Sequence, residues 1–538
     1  MKKNASAWAI PTAVFVVFSA FYVLLRSNDF FAVDGSFRCL EVYRDPTLFF
    51  RSNNHLFYTP NALWWTRLAA AVGYTPRGPV EFLRLVEVMN CLAGAAALAI
   101  FCSLLLVATD SAALAVAGAA GLGLTRSFLA QATNSNEPML GILWSFAGVG
   151  LAAIAARRNS IWAAAGSGIL FGLAMVTYRS MVLLAPAGAV LLWIGFEEGK
   201  PRFAIEMERV GRVAAAVIAG TASAAALHGW AYCVMGERSA AGMMNRFLAT
   251  EGSDIYFGLR WSRVVSLPLG LARNLFAVEP EYTTFRAFLG RPPVLIALTF
   301  FLLAASLAFA LFCAALIARN WKSLNAPIRA SAIVAGVGLV FTFPPLAVWD
   351  PQYDKLWALP LACMIFLMAI AVKIGLQGRK RARLALWCFA GVAVGGACIT
   401  LHWAYEKHVH RPYEFEEASE AAAMLGKNDF IVGDWRPVAM LYGYLWAEPG
   451  QFLSFPSEAT EHRTGVLQEI EEGVQKAQAS GGRVYFFGTL DISQREWNDF
   501  FGPECGIPYS ALDKYRERAT ARARFMDRHG CDTLWELN

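Results

Sequence analysis

The sequence predicts a mainly α-helical protein that crosses a membrane about eleven times and carries a small outer α/β domain at its C-terminal end. Of its 538 residues, 57% are hydrophobic and only 16% are charged, whereas ordinary soluble domains carry about 25% charged residues. Apolar runs long enough to span a bilayer, about 20 residues, recur along the chain. After residue 402 the composition becomes that of a soluble domain, in which short strands alternate with helices.

The first apolar run, residues 7–25, is long for a signal peptide and is not followed by an A-x-A-like cleavage site. We therefore predict that it is retained as a membrane helix. Ten further spans follow, several of them short or rich in glycine and alanine. They are predicted over 86–107, 111–125, 138–156, 161–177, 181–196, 212–233, 293–317, 328–348, 356–374 and 384–401.

The orientation follows from lysine and arginine, which favour the cytoplasmic side in short loops. If the eleven spans are right, the basic groups in the short loops all fall on one side of the membrane, which also holds the N-terminus. They are Lys2 with Lys3, Arg157 with Arg158, Lys200 with Arg202, Arg319 with Lys322, and Lys380 with Arg381 and Arg383. The net charge of +6 reflects this bias rather than a nucleic-acid surface. The prediction is a multi-pass protein of the inner or plasma membrane, with a cytoplasmic N-terminus and an extracytoplasmic C-terminal domain.

We predict a membrane domain over residues 1–401 and a soluble outer domain over residues 402–538. The two long outer loops contain arginine but no lysine. A guanidinium binds oxyanions in a fork, so phosphate recognition is one explanation, and a general arginine preference in a GC-rich genome is the other. The outer loops are 26–85, 125–137, 234–292 and 349–355.

In the outer domain, residues 429–434 and 483–489 are typical of strands. Helices are predicted over 437–446, 460–479, 492–501 and the basic run 511–528. The domain has no G-x-G-x-x-G and no P-loop signature, which favours a supporting or acceptor-docking role. Cys505 and Cys531 would be able to pair in an oxidising compartment, although their spacing does not establish it.

Acids at the outer ends of the spans are the first group of candidate site residues, because acids near the membrane are costly when buried and tend to be functional. Asp34 opens the first outer loop, a loop too long for a simple connector. Glu137 precedes Pro138 at a helix start, where an N-cap role is the alternative. Asp350 and Asp354 lie between the ninth and tenth spans. Oxygen ligands from Asp34 and Glu137 would suit Mg²⁺ or Mn²⁺.

Basic and polar side chains are the second group. His55 and Tyr58 stand among polar residues in the same loop as Asp34. Arg126, Arg179 and Lys355 lie at outer ends of spans, where they would hold a phosphate or, alternatively, extend to the membrane surface. Residues 261–276 are typical of an amphipathic helix on the membrane surface, and the arginines beside or within this segment are Arg260, Arg263 and Arg273.

The chain resembles the GT-C superfamily of integral membrane glycosyltransferases, which includes protein O-mannosyltransferases and the aminoarabinose transferase of lipid A. The resemblance rests on AVDGSFRCLEVYRD and NHLFYTPNALWW in the first outer loop, FLAQATNSNEPML in the second and VWDPQYDKLWALPL in the late loop. IVGDWRPVAMLYGYL resembles the opening of the outer C-terminal domain. Members commonly carry two adjacent acids in the first loop, whereas here Gly35 follows Asp34.

The resemblance implies a sugar transfer, hexosyl or pentosyl, from a polyprenyl-phosphate donor to an acceptor on the outer face. Asp34 would be the general base, and the other candidate residues would bind substrate. The acceptor, a glycan, a lipid or a protein, stays open, as does the use of a metal. Membrane lipids are the expected surroundings.

Three other interpretations remain. An O-antigen-type polymerase or ligase shares the large outer loops but would use arginines rather than a first-loop acid. A transporter of lipid-linked glycans would show internal repeats and polar, broken helices at mid-membrane. A scaffold without catalytic activity is the third.

Overall fold

The computed structural model describes most of the chain and divides it into two compact units. The first comprises residues 1–27, 49–249 and 256–409, and the second residues 28–48, 250–255 and 410–538. The domain boundaries expected from the sequence stay a prediction. The described residues are 2–26, 34–48, 56–195, 206–248, 261–277, 288–348, 354–376, 380–409, 413–434, 437–448, 450–455, 465–494, 497, 507–527 and 530–538.

The elements are numbered here in chain order. The helices are α1 (Lys2–Leu24), α2 (Asp34–Arg44), α3 (Tyr58–Ala71), α4 (Pro79–Thr109), α5 (Ala112–Gly123), α6 (Arg126–Thr133), α7 (Pro138–Arg158), α8 (Ile161–Thr177), α9 (Ala185–Ile194), α10 (Met207–Val234), α11 (Ala240–Leu248), α12 (Trp261–Phe276), α13 (Pro293–Asn320), α14 (Ala326–Thr342), α15 (Pro344–Val348), α16 (Asp354–Leu376), α17 (Lys380–Val409), α18 (Tyr413–Met424), α19 (Pro437–Leu445), α20 (Gly465–Ala479) and α21 (Asp513–Arg516). The strands are β1 (Phe430–Gly433), β2 (Phe452–Ser454), β3 (Val484–Phe487), β4 (Ala519–Asp527) and β5 (Gly530–Leu537).

Each of the eleven segments predicted to span the membrane is helical. Within the described residues, six helices are individually long and apolar enough to cross a bilayer, namely α4, α7, α10, the run from α13 into the turn at 321–323, the run from α14 into α15, and α16. Three shorter apolar helices cover Trp8–Leu24, Ile161–Thr177 and Arg179–Ile194. The predicted polytopic helical class is confirmed.

Local signals explain where several of these helices begin. Ser160 and Asn325 cap α8 and α14, because their side-chain oxygens accept hydrogen bonds from backbone N–H groups in the first turn. Proline occupies the first turn of α4 and α7, where its missing N–H costs nothing. The span predicted from residue 86 therefore starts earlier, at Pro79.

The third span differs from the prediction. Residues 126–133, expected in an exposed outer loop, form α6, every residue of which is buried. Together α5 and α6 read as one span or re-entrant segment bent by 71°. Thr125 caps α6 through its hydroxyl, which accepts from the backbone N–H of Phe128. The sequence favours a loop here because the apolar run ends before Arg126.

The long outer loops also contain helices. The first holds α2, α3 and the start of α4, and the second holds α11 and α12. The amphipathic helix predicted over 261–276 is present with those bounds as α12. It packs against α6, α16 and α17 within the first unit.

The second unit is built on a five-stranded sheet of order β2-β1-β3-β5-β4. β1 pairs in parallel with β2 and β3, whereas β5 runs antiparallel to β3 and β4. α20 covers the face that carries Phe430 and Val432. α19 packs against the opposite face, beside Gly433. The predicted small α/β domain is confirmed.

Two expectations in this unit need correction or lie outside the description. The basic run 511–528, predicted as a helix, contains only the short α21 and then forms strand β4, which pairs with β5 along its length. Alanine and arginine favour helices locally, but pairing with a neighbouring strand outweighs that preference. Most of the helix predicted over 492–501, and Cys505, fall outside the described residues.

Candidate functional site

A buried ion pair joins two of the predicted site residues at one end of the membrane helices. Lys355, the second residue of α16, donates from Nζ to Oε2 of Glu137 over 2.7 Å. The Glu137 side chain is fully buried and that of Lys355 is 3% exposed. Glu137 occupies the N-cap position of α7 but makes no side-chain capping bond. Its carboxylate is directed to Lys355, and Lys355 does not extend to the membrane surface.

The turn that carries Glu137 is held by an asparagine from α4. Nδ2 of Asn90 donates to the carbonyl oxygens of Asn134 and Asn136, each over 2.7 Å, and lies 3.3 Å from the hydroxyl of Tyr58. The amide oxygen of Asn136 accepts from the backbone N–H of Glu137. All of these residues are buried. This network fixes the position of the Glu137 carboxylate and brings the predicted residue Tyr58 into the same buried cluster.

Arg126 lies at the start of α6 with its guanidinium 5.1 Å above the ring of Trp403 in α17. The side chain is 5% exposed. The charges of Arg273 and Asp354 both act on this guanidinium. Next to it, the Ser127 hydroxyl donates to the carbonyl oxygen of Asp354 over 2.6 Å, which ties α6 to the start of α16. The predicted residues Arg126 and Asp354 are thus neighbours.

Helix α12 brings further arginines to this end of the bundle. Arg263 donates from Nη1 to the carbonyl oxygen of Val348 over 2.6 Å, at the end of α15. Arg273, ten residues further along α12, is buried. Because α12 also packs against α6, α16 and α17, the arginine-rich outer loop 234–292 contributes directly to the cluster around Arg126.

Arg179 contacts a different group of side chains in the same unit. It opens the 3₁₀ turn that follows α8. Its guanidinium is 5.3 Å from the ring of Phe247 in α11. The structure therefore does not pair Arg179 directly with Glu137 or Lys355.

Several predicted site residues are not described. His55, Arg260 and Asp350 lie outside the described residues, and so does the side chain of Asp34. The backbone of Asp34 is the first residue of α2, in the second unit. An acid at a helix N-terminus is favoured by the helix dipole. α2 packs on α19 of that unit, where Phe37 stacks on Tyr444.

Sequence reasoning missed three residues of the first unit, namely Glu87, Asn90 and Trp403, of which Glu87 and Asn90 are fully buried. Glu87 and Asn90 were treated as part of an apolar span. Both oxygens of the Glu87 carboxylate are buried without a hydrogen bond from the described residues, and the charges of Arg84 and Arg26 act on it. A polar side chain inside an apolar run is itself a functional signal, so the pattern VEVMNCL contained the information.

An apolar cavity of about 70 Å³ lies deeper between α4, α7, α9, α14 and α16. Lys355, Leu359, Ala362 and Phe366 fall on one face of α16, at helical spacings of four, three and four residues. Ala362 and Phe366 line the cavity. At 1.5 Å per residue, the cavity begins about 10 Å below the level of Lys355. A charged end and an apolar interior are thus connected along one helix face.

The side chains around Glu137 do not support the predicted Mg²⁺ or Mn²⁺ site. Glu137 accepts from an ammonium group, which occupies the place a divalent cation would need. Among the described residues, no three His, Cys, Asp or Glu side chains group as metal ligands. The described residues at Glu137 therefore do not fit such a site.

Solved structures provide a likeness over nearly the whole chain. The crystal structure of ArnT from Cupriavidus metallidurans bound to undecaprenyl phosphate matches with a TM-score of 0.55 and 12% sequence identity, covering 98% of this chain and 97% of that one. The apo structure of the same protein matches with a TM-score of 0.53 and 13% identity, covering 99% and 98%. No family model matches the chain, and no curated protein does. The likeness confirms a GT-C-like fold, as the resemblance in the outer loops predicted.

Proposed function

We propose that this protein is a membrane glycosyltransferase that moves a sugar from a polyprenyl-phosphate donor to an acceptor on the outer face of the membrane. The observation that carries the proposal is the placement of the buried charges around Lys355 and Arg126 above an apolar cavity. An amphiphilic donor has the matching form, with a charged head and an apolar tail. The ArnT structure, which has the same fold, holds undecaprenyl phosphate.

The basic residues account for the chemistry of the leaving group. When the acceptor oxygen or nitrogen attacks the anomeric carbon, the bond from that carbon to the phosphate oxygen breaks. The leaving polyprenyl phosphate then carries additional negative charge. In many enzymes, the largest single contribution to the rate enhancement comes from pre-positioned charges or dipoles that stabilise developing charge in a water-poor site. Arg126, Arg273 and Lys355 are buried cations suited to that task.

Asp34 is proposed as the general base, which takes the proton from the attacking hydroxyl or amine. A base must come within about 3 Å of that proton, directly or through one water. Its position after the first span and the resemblance of AVDGSFRCLEVYRD support this role. The sugar, hexose or pentose, and the acceptor are open within this proposal, and the N-terminus is proposed to be cytoplasmic.

The proposal is tested with Asp34→Asn. The substitution removes a proton acceptor but keeps the size of the side chain, so we expect transfer of label from a radiolabelled polyprenyl-phosphate sugar to fall by at least about 100-fold, in keeping with general base catalysis. Expression and binding of undecaprenyl phosphate are expected to stay at wild-type levels. Transfer is measured in membranes and binding with the purified protein.

Asp45→Asn is the matched control. Oδ1 of Asp45 accepts from the N–H and the hydroxyl of Thr47, and an asparagine keeps that oxygen. The control is expected to transfer sugar at the wild-type rate. Wild-type turnover in the Asp34 variant would contradict the general-base role, and a wild-type protein that neither binds undecaprenyl phosphate nor moves label would contradict the function.

A further inference from the structure

A group of three side chains in the first unit, the His228 cluster, consists of His228 of α10, Arg179 and Phe247. The mechanism above does not use His228. The imidazole is 4% exposed. Its Nδ1 lies 2.8 Å from the carbonyl oxygen of Ala224, one turn earlier in the helix. A carbonyl oxygen only accepts, so Nδ1 carries the hydrogen and the neutral ring presents a lone pair at Nε2. Within the described part of the chain, Nε2 is buried and has no hydrogen-bond partner.

Arg179 contributes hydrogen-bond donors to the His228 cluster. Its Nε and Nη2 are buried, and no described residue accepts a hydrogen bond from them. Its charge acts on the His228 ring. Both side chains meet the ring of Phe247, the guanidinium at 5.3 Å from the ring centre and the imidazole edge-on at 5.2 Å. One acceptor and at least two donors therefore converge on one aromatic side chain.

The side chains packed beside the His228 cluster are mostly apolar and come from neighbouring elements. Leu56, Ala231 and Tyr232 form a small buried cluster, against which Phe57 and Phe247 pack. The backbone N–H of Phe57 donates to the carbonyl oxygen of Val176, three residues before Arg179. Aromatic walls with a few convergent polar groups are typical of small-molecule sites.

A purely structural role explains only part of this arrangement. Satisfying the Ala224 carbonyl requires Nδ1 alone, and it leaves both Nε2 and the Arg179 donors unexplained. Buried polar atoms without partners cost free energy and recur where a ligand completes them.

We infer that His228 and Arg179 form a subsite for the sugar of the lipid-linked donor, and that this sugar presents a hydroxyl rather than an amino group here. The inference rests on the proposed function. Nε2 accepts a hydrogen bond from the hydroxyl, Arg179 donates to an oxygen beside it, and the C–H face of the sugar packs on Phe247. An ammonium group at this place would meet the charge of Arg179 and be disfavoured.

The test uses the full chain in lipid nanodiscs and five lipids. Undecaprenyl phosphate reports on the head and tail alone. Two matched pairs report on the sugar, namely the phosphate-linked arabinose with its 4-amino-4-deoxy form, and the phosphate-linked glucose with glucosamine. We expect wild-type protein to bind the hydroxyl member of at least one pair about tenfold more tightly than the amino member.

Variants of His228 separate binding from folding. His228→Asn keeps a donor for the Ala224 carbonyl but removes the acceptor at the Nε2 position, and His228→Gln places an amide oxygen near that position. The Asn variant is expected to lose about five- to tenfold in affinity for the preferred sugar lipid, the size of one hydrogen bond. Its affinity for undecaprenyl phosphate should stay unchanged, which also shows that it is folded. The Gln variant should recover most of the loss, and Arg179→Gln should reduce the preference for hydroxyl over amine.

The outcomes distinguish the subsite from the function. Undecaprenyl phosphate that binds equally to wild-type and variant proteins, with no discrimination within either pair, overturns the subsite and leaves the function standing. A preference for the amino member overturns it as well, and so does a His228→Asn variant that loses affinity for all five lipids equally. Failure of wild-type protein to bind undecaprenyl phosphate contradicts the proposed function itself.

Discussion

The carboxylate of Glu137 and the ammonium of Lys355 lie 218 positions apart in the chain and are brought within hydrogen-bond distance by the packing of α16 beside α7. Removing two charges from water is costly, and their mutual attraction repays that cost only while both partners are present. The free energy of burying each charge therefore depends on the presence of the other. The Asn90 network, which fixes the turn carrying Glu137, adds a third member to this dependence.

Substitution of Lys355 by methionine is predicted to destabilise the protein by about 3 to 5 kcal/mol, because the buried Glu137 carboxylate loses its cation. Adding Glu137→Gln to this variant should recover most of the loss. Reversible unfolding in bicelles measures both. Lys373→Met, in the last turn of the same helix, is the control and should change stability by less than about 0.5 kcal/mol. Equal losses in the single and double variants would show that the two charges do not interact energetically.

At the scale of elements, glycine sets how closely two membrane helices approach. A Cβ atom built on Gly168 of α8 would overlap the carbonyl oxygen of Ala216 in α10. In a membrane, small residues at such contacts allow close backbone packing, which drives helix association. The contact of α8 with α10 helps to position the His228 cluster, because α10 carries His228 and Arg179 lies two residues after the end of α8.

Gly168→Ala is predicted to destabilise the protein by about 1 to 3 kcal/mol, since backbone must move to admit the methyl group. Gly211→Ala is the control on α10. No atom lies within 4 Å of a Cβ built there, so the helix preference of alanine should stabilise slightly, by up to about 1 kcal/mol. Thermal unfolding of the two variants side by side measures the difference. A Gly168 variant as stable as the control would show that the helices separate at no cost.

At the scale of the whole molecule, the chain alternates between the two ends of its helix bundle. Lys355, Glu137 and Arg126 lie at the ends where α16, α7 and α6 begin. Asn159 lies at the other end, after α7, where Arg212 of α10 donates to its side chain and to the carbonyl oxygen of Leu192 in α9. The charge distribution of the loops predicts that this second end faces the cytoplasm.

Reporter fusions test that orientation. Alkaline phosphatase, which is active only outside the cytoplasm, is expected to be active when fused after Asn538 and inactive when fused after Lys200. Green fluorescent protein exported through the general secretory route does not fluoresce, so it should give the opposite pattern at the same two positions. Activity of the phosphatase at Lys200 would reverse the proposed topology and place the charged cluster on the cytoplasmic side.

Most of the membrane helices could be predicted from sequence, because an apolar run of about 20 residues has few alternatives to a helix in lipid. α6 could not. Whether an eight-residue polar segment lies exposed or buried depends on α4, α16 and α17, which are distant in sequence. The composition of β4 favours a helix, but its pairing with β5 determines its conformation. Of the predicted site residues, Tyr58, Arg126, Glu137, Asp354 and Lys355 lie together at one end of the helices, all of them buried except the half-buried Asp354. Arg179 belongs to the His228 cluster instead.

The sequence by itself determined the class of this protein, the positions of most of its membrane helices and the candidate acids and bases near one end of them. These depend on hydropathy and local charge, which can be read directly along the chain. Only the tertiary structure decided that Glu137 binds Lys355, that Asn90 holds the turn between α6 and α7, and that Arg179 meets His228 across Phe247. The contacts of Asn90 and Glu137 join residues 44 to 218 positions apart, and the burial that gives them their energy exists only once the helices have packed.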